Sequence, residues 1–308
     1  MSSIITNIAA MTALQTLNRT NAEMLVTQNR ISTGLRVSTA ADNAAYWSIA
    51  TTMRSDNMAL STVQDALGLG GGTADIAIAG LNTAIDVASK IKMKLVAARA
   101  PGIDRGKIKS EITQLQSSLQ NTVDAASFSG ENWLSVDSTG NTTKSVVASL
   151  SRDSTGVLSI ATISVDVGPT GSMLVDSSGS GAGILDQTRT VTSGGTYTIL
   201  TIDVSALTDA AADLTDLEDY IDGVDTAIAS MTDAGTVLGA AKSRIDVQQG
   251  FVARLMDAID TGIGQLVDAD MNQESTRLQA LQVRQQLGVQ ALSIANQSAQ
   301  MILQLFRQ

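Results

Sequence analysis

Near the start of the chain, Leu14, Leu17, Asn21, Met24, Gln28, Ile31 and Leu35 recur at alternating steps of three and four. That heptad register predicts a long helix with a coiled-coil seam. Gly34 weakens the helix at its end, and residues 38–42 supply capping side chains for a second one. The second reads as helical over about 43–99, interrupted at Gly68, Gly70, Gly71 and Gly72, and stops at Pro101-Gly102. A third, over about 104–126, places Ile108, Ile112, Leu115, Leu119 and Val123 on one apolar stripe.

Between residues 127 and 204 the pattern turns to Ser, Thr and Gly with short β-branched runs at 157–167 and 196–204. Turn residues cluster at 177–183 and 193–195. This predicts a small β-rich insertion, with a disordered loop as the alternative. The longest helix then begins near Leu207, where Leu214, Leu217, Ile221, Val224, Ile228, Met231, Gly235 and Leu238 hold one heptad register. After a three-residue step, Ala241, Ile245, Gln248, Val252, Leu255 and Ile259 continue it. A helix of that length needs the helices of the first half to lie against.

The last arm carries two seams. Leu278, Leu281, Gln285, Gly288, Leu292, Ala295, Ala299, Ile302 and Phe306 form one; Leu287, Ala291, Ile294, Ser298, Met301 and Leu305 run along another face of the same helix. One partner helix covers one seam. Leaving the four large side chains of the second in water forgoes about 1.5 to 3 kcal/mol each. That total rivals the roughly 5 to 15 kcal/mol by which whole domains are stable, so something outside the subunit's own core must cover the face. An ordinary bundle helix does not account for apolar residues on both sides up to the end. A membrane-surface helix would carry Lys or Arg along its polar face, and residues 278–308 hold only Arg284 and Arg307. Self-association of many copies remains, and a head-to-tail interface that does not close gives a helical filament. The residues expected at that polymer interface are Leu14, Leu17, Met24, Ile31 and Leu35 in the first arm. In the last arm they are Leu278, Leu281, Leu287, Leu292, Ile294, Met301, Ile302, Leu305 and Phe306.

Composition narrows the chemistry. Aromatic residues are 3% of the chain, and there is no His and no Cys. Imidazole bases, thiolate nucleophiles, disulfides and His/Cys metal cages are therefore excluded. No nucleophile, base and oxyanion arrangement stands out in the remainder, so neither an enzyme nor a cofactor is expected. The net charge is −10, and residues 201–260 carry most of it, with 3 basic against 12 acidic side chains. Without a basic face a nucleic-acid partner is not expected. No run approaches the roughly 20 apolar residues that span a bilayer, and no basic residue precedes Arg19, so neither membrane insertion nor a cleavable signal peptide is expected.

Other motifs have plain readings. The run Gly68-Leu69-Gly70-Gly71-Gly72 has no preceding strand and no following Lys, so it is not a phosphate loop but a kink or a point of close packing. Asp213, Asp216, Glu218, Asp219, Asp222 and Asp225 lie at helical spacing without an EF-hand pattern, which predicts a solvated acidic face. The glycosylation triplets at Asn18, Asn141 and Asn296 are of a kind common by chance.

Three regions carry a family resemblance. Arg30-Ile31-Ser32-Thr33-Gly34-Leu35-Arg36-Val37-Ser38, followed by Ala40-Ala41-Asp42-Asn43-Ala44-Ala45, resembles the amino-terminal signature of bacterial flagellin. Phe128-Ser129-Gly130 with Leu134 resembles the family's turn after its helical segment. Ala269-Asp270, Ala295-Asn296-Gln297 and Leu303-Gln304-Leu305 resemble the carboxy-terminal signature. The signature positions are thus Arg30, Ser32, Gly34, Leu35, Arg36, Asp42, Ala44, Asn296 and Gln297. The length and small centre look like the short flagellins of alphaproteobacteria.

The resemblance implies a mainly α fold: a long antiparallel coiled coil or helical bundle of the two arms, with a small β-rich central outer insertion. Residues 1–40 with 265–308 would form an inner coiled-coil domain, 41–140 with 205–264 a helical shell, and 141–204 the outer insertion. It also implies a structural subunit of the flagellar filament for swimming, exported unfolded through the flagellar type III channel and assembled at the distal tip. Implied partners are other flagellin copies, hook-filament junction proteins, the filament cap and an export chaperone. The alternative is a coiled-coil junction or adaptor protein. One segment departs from the family. Lys90-Ile91-Lys92-Met93-Lys94-Leu95-Val96 lies where many flagellins carry an Arg, a Glu and a Leu recognised by a Toll-like receptor, and Met93 and Lys94 replace the Glu and the Leu.

Overall fold

The computed structural model describes residues 7–153 and 157–305, with side chains to residue 297. In chain order it runs α1 (Ile8–Thr33), α2 (Ala44–Ala98), α3 (Arg105–Ala125), β1 (Ser127–Phe128), β2 (Glu131–Asn132), β3 (Ser135–Val136) and β4 (Thr143–Arg152). Then follow β5 (Leu158–Asp166), β6 (Val175–Asp176), β7 (Arg189–Thr190), β8 (Thr196–Tyr197), α4 (Ala211–Val267) and α5 (Met271–Leu305). The chain divides into a terminal unit, Met1–Met58 with Asp257–Gln308, and a central unit, Ala59–Met256.

The long helices start and stop where local chemistry dictates. Asn7 caps α1, its side chain accepting the Ala10 amide, and Gly34 ends it in the left-handed conformation at φ 72° with its N–H on the Arg30 carbonyl. The cap of α2 is Asn43, whose side chain accepts the amides of Ala45 and Tyr46. Of the residues expected to cap this helix, Asp42 instead closes the turn before it.

The glycines do not interrupt α2, which runs unbroken for 55 residues. A Cβ on Gly70 would lie 2.5 Å from Val146 Cγ1 on β4, and one on Gly72 3.1 Å from Phe128. Each glycine costs about 1 kcal/mol of helix propensity against Ala. Here that loss is offset because bare backbone lets the strands pack directly on the helix. Gly70 takes a buried place in a heptad row running through Leu60, Val63, Leu67, Ala74, Ala77 and Leu81.

In the central unit α2 and α4 run antiparallel. Asp75 pairs with Lys242 at 2.9 Å, Lys92 with Asp225 at 2.5 Å, and Arg99 with Glu218. Leu217, Val224, Met231 and Leu238 of the expected register are buried. The places between them are taken by Ala227 and Ala234, while Ile221, Ile228 and Gly235 are half-buried flanks. Small residues at the crossing let the helix axes approach; a Cβ on Gly235 would already lie 3.3 Å from Leu81.

The α3 stripe buries as expected at Ile108, Ile112, Leu119 and Val123, with Leu115 half-buried. Beside it Gln116 is buried and donates to the carbonyls of Ile199 and Ile202. Arg105, 8% exposed, caps the end of α2 through the Ala98 carbonyl and also donates to the Leu207 carbonyl and the Asp209 carboxylate. Arg105→Ala strands these acceptors, and we expect it to cost about 3 kcal/mol in urea unfolding.

The strands form, among the described residues, four two-stranded sheets. The longest is the antiparallel β4–β5 hairpin, from Thr143 opposite Asp166 to Arg152 opposite Leu158. The expected strand at 157–167 is therefore present. The 196–204 run gives only β8, then a 3-10 turn at Ile199–Thr201 that buries Ile199. Between β1 and β2 the Ser129-Gly130 turn has φ of 52° and 85°, the paired positive angles that a two-residue hairpin requires.

The acidic start of α4 is not simply a solvated face. Asp216, 6% exposed, accepts the Ser193 amide at 3.0 Å and its hydroxyl at 2.5 Å, and Asp219 accepts the Thr192 amide at 2.6 Å. Tyr197 donates to the Asp219 carbonyl and packs edge-on against Tyr220. These carboxylates hold the turn between β7 and β8.

Candidate polymerisation surface of the terminal arms

In the terminal unit α1 and α5 pair antiparallel. Gln285 Nε2 donates to Asn21 Oδ1 at 2.8 Å, Asn7 Nδ2 to the Ala295 carbonyl at 2.9 Å, and Leu17 Cδ1 lies 3.3 Å from where a Cβ on Gly288 would stand. Arg30 Nη1 meets Glu274 Oε1 at 3.0 Å; Glu274 is 5% exposed and its Oε2 has no hydrogen-bond partner among the described residues. A half-satisfied buried pair contributes little net stability, but it penalises any slip that would separate the charges.

The seam on α1 differs from the expected one. Leu17, Met24 and Ile31 belong to it, half-buried, but the buried places between them are Thr20 and Thr27; Asn21 is half-buried at its edge, bonded to Gln285, and Gln28 is exposed. Leu14 is 48% exposed and off the seam. Heptad spacing admits two rows through the same three residues, and threonines hide in the row that counting large apolar side chains passes over. Thr20 satisfies its hydroxyl on the Thr16 carbonyl one turn back. Leu35 packs with Val37, Ala50, Ile263 and Val267. On α5, Leu281 is 2% exposed, and Leu278 and Leu292 are half-buried on the same seam.

The second α5 face is open. Leu287 is 56% exposed and Ile294 67%, joined by Val283, which sequence spacing did not single out. On α1 the exposed apolar residues Ile8, Met11, Leu14, Leu25 and Val26 centre about 160° around the helix from the seam, at about 100° per residue. That angular test on the sequence would have found them. Of the other residues expected at the interface, Met301, Ile302 and Leu305 lie on the α5 backbone with their side chains outside the described residues, and Phe306 is outside them altogether.

The signature residues of the first arm are mostly joints. Gly34 caps α1 and Arg30 pairs with Glu274. Arg36 donates to the carbonyls of Gln265 and Leu266 at the end of α4, where a cation also suits the helix dipole. Leu35 bridges Asp268, with backbone bonds from Arg36 and Val37 to the Val267 carbonyl and from Ala269 to the Gly34 carbonyl. Amide and hydroxyl donors of Thr39 and Ser38 hold the Asp42 carboxyl below its usual range. Ala44 starts α2; Ser32, Asn296 and Gln297 are exposed.

Comparison with known proteins agrees with this arrangement. The family model for the bacterial flagellin N-terminal helical region matches residues 4–139, and that for the C-terminal helical region matches 221–306. Flagellin C of Rhizobium meliloti (strain 1021) is 49% identical over 323 aligned positions, covering 100% of both chains. The chain belongs to the bacterial flagellin family. It is a structural subunit of the extracellular flagellar filament, assembled with other flagellin subunits for motility. A flagellin of Brucella melitensis biotype 1 is 45% identical over 309 positions, and Flagellin D of Rhizobium meliloti 44% over 397, each covering 100% of both chains. The last alignment is longer than this flagellin's 308 residues, so that relative carries residues absent here. A junction or adaptor protein is not favoured. Among the described residues no helix is long and apolar enough to cross a membrane.

Proposed function

We propose that this flagellin polymerises by burying the outer faces of α1 and α5 against neighbouring copies, each arm pair thereby becoming part of an inner tube. The observation that carries this reading is the exposure of Leu287 and Ile294 off the seam by which α5 meets α1. Residues 1–40 with 265–308 would line that inner layer, 41–140 with 205–264 the shell, and 141–204 the outside. Leu14, Leu287 and Ile294 then contact other copies directly. Leu17, Met24, Ile31, Leu278, Leu281 and Leu292 act indirectly, by holding the two arms together. Hook-filament junction proteins, a filament cap and an export chaperone belong to the same reading, as does unfolded export to the distal tip. Substituting Leu287 and Ile294 by Asp tests it: filaments from the purified double variant would overturn it.

The receptor segment follows from the same family reading. Met93 stands 63% exposed on α2, while Lys94 is held 2.5 Å from Glu111 of α3. The missing carboxylate at position 93 therefore weighs more than the added charge at 94, which its own neighbour offsets. Purified monomer is expected to stimulate receptor-bearing cells weakly, and Met93→Glu to raise the response; strong stimulation by the unaltered protein would count against it.

A further inference from the structure

We propose that Met11 is an oxidation site through which hydroperoxides withhold free subunits from the filament. The proposal rests on the arm surface described above, and its failure is separable from the failure of that reading.

The chain has no Cys and no His, so thioether sulfurs are its main acceptors of oxygen from peroxide. They are not equally reachable. Met173 and Met231 are fully buried, and Met24, Met53 and Met256 are half-buried. Met11, Met58, Met93 and Met271 are exposed, Met11 by 63%. Only Met11 of these four stands on the open apolar face of α1, near the middle of the arc that includes Ile8, Leu14 and Leu25.

The chemistry is a single oxygen-atom transfer. The Met11 sulfur supplies an electron pair to one peroxide oxygen, the O–O bond breaks, and hydrogen peroxide leaves as water. Sulfur is oxidised by two electrons and the peroxide reduced by two. The product keeps the length of methionine but carries a polar S=O, which the aliphatic side chains one turn away, Ile8 and Leu14, cannot hydrogen-bond. Burying such a group without a donor is unfavourable where burying the thioether was favourable. Once a neighbouring copy covers the face, peroxide no longer reaches the sulfur. Susceptibility therefore belongs to the unassembled subunit.

The test uses the full chain. Purified subunits are partly oxidised with hydrogen peroxide, polymerised and pelleted, and the sulfoxide at each Met is measured by mass spectrometry in pellet and supernatant. We expect Met11 sulfoxide to be depleted about tenfold in the pellet, the change expected from losing one buried Met contact. Met93 sulfoxide should be shared more evenly. Preformed filaments should show Met11 protected, and Met11→Leu subunits should polymerise after peroxide treatment. Equal Met11 sulfoxide in both fractions, or peroxide inhibition undiminished in Met11→Leu, overturns the proposal. Filaments from the Leu287→Asp, Ile294→Asp variant would instead overturn the arm surface itself.

Discussion

Removing residues 287–308 should abolish filament formation while leaving the central unit folded. The deleted stretch carries Leu287 and Ile294, 56% and 67% exposed in the single subunit, and the polar bonds holding α5 to Asn7 and Asn21 come from its start and the residues just before it. Covering two such side chains contributes about 3 to 6 kcal/mol per copy, roughly a hundredfold to ten-thousandfold in the concentration at which polymer appears. The helical core of the central unit lies outside the deletion, with Leu67, Leu81, Ile91, Leu95 and Leu238 buried. Circular dichroism should therefore retain most of its helical signal while sedimentation finds no polymer. Normal filament growth by the truncated chain would refute the assignment of the arms.

The second large effect is expected at Gly70. A Cβ there would lie 2.5 and 2.7 Å from the two Cγ atoms of Val146, and that short branched side chain sits on a β-hairpin strand with few rotamers to yield. Gly70→Ala gains about 1 kcal/mol of helix propensity, which competes with an overpacking cost of about 1 to 3 kcal/mol. Gly70→Leu adds volume the site does not have, and we expect it to destabilise the central unit by about 3 kcal/mol in urea titration. Val146→Ala should relieve part of that cost when combined with Gly70→Ala, giving a favourable coupling in a double-mutant cycle. Strict additivity would mean that the hairpin does not press on the helix at this point.

The pattern of apolar positions was enough to place every long helix, because burial on one face of a 3.6-residue period leaves its mark directly on the chain. The α3 stripe was legible for the same reason, as were the exposed Leu287 and Ile294 of α5. Misreadings arose where small residues do the packing. Thr20, Thr27, Ala227 and Ala234 are the buried residues where the expected registers ran through Asn21, Gln28, Ile228 and Gly235, and Gly70 sits in a heptad row that its residue type argues against. Side-chain size records how much apolar surface is available; how closely two axes approach depends on the partner helix.

The acidic start of α4 makes the same distinction for charge. Spacing showed carboxylates on a helix, but it is Thr192 and Ser193, 27 and 23 residues earlier in the chain, that bring the amides and hydroxyl which Asp219 and Asp216 receive. Arg30 and Glu274 likewise meet across more than 240 residues of sequence. Alone, the sequence determined the helices, the excess apolar surface on the last arm and the absence of His and Cys chemistry, since each is a property of local period or residue type. Which row of each helix faces inward, which carboxylates are satisfied and which methionines stand open were decided by tertiary structure, because those depend on what another part of the chain brings alongside.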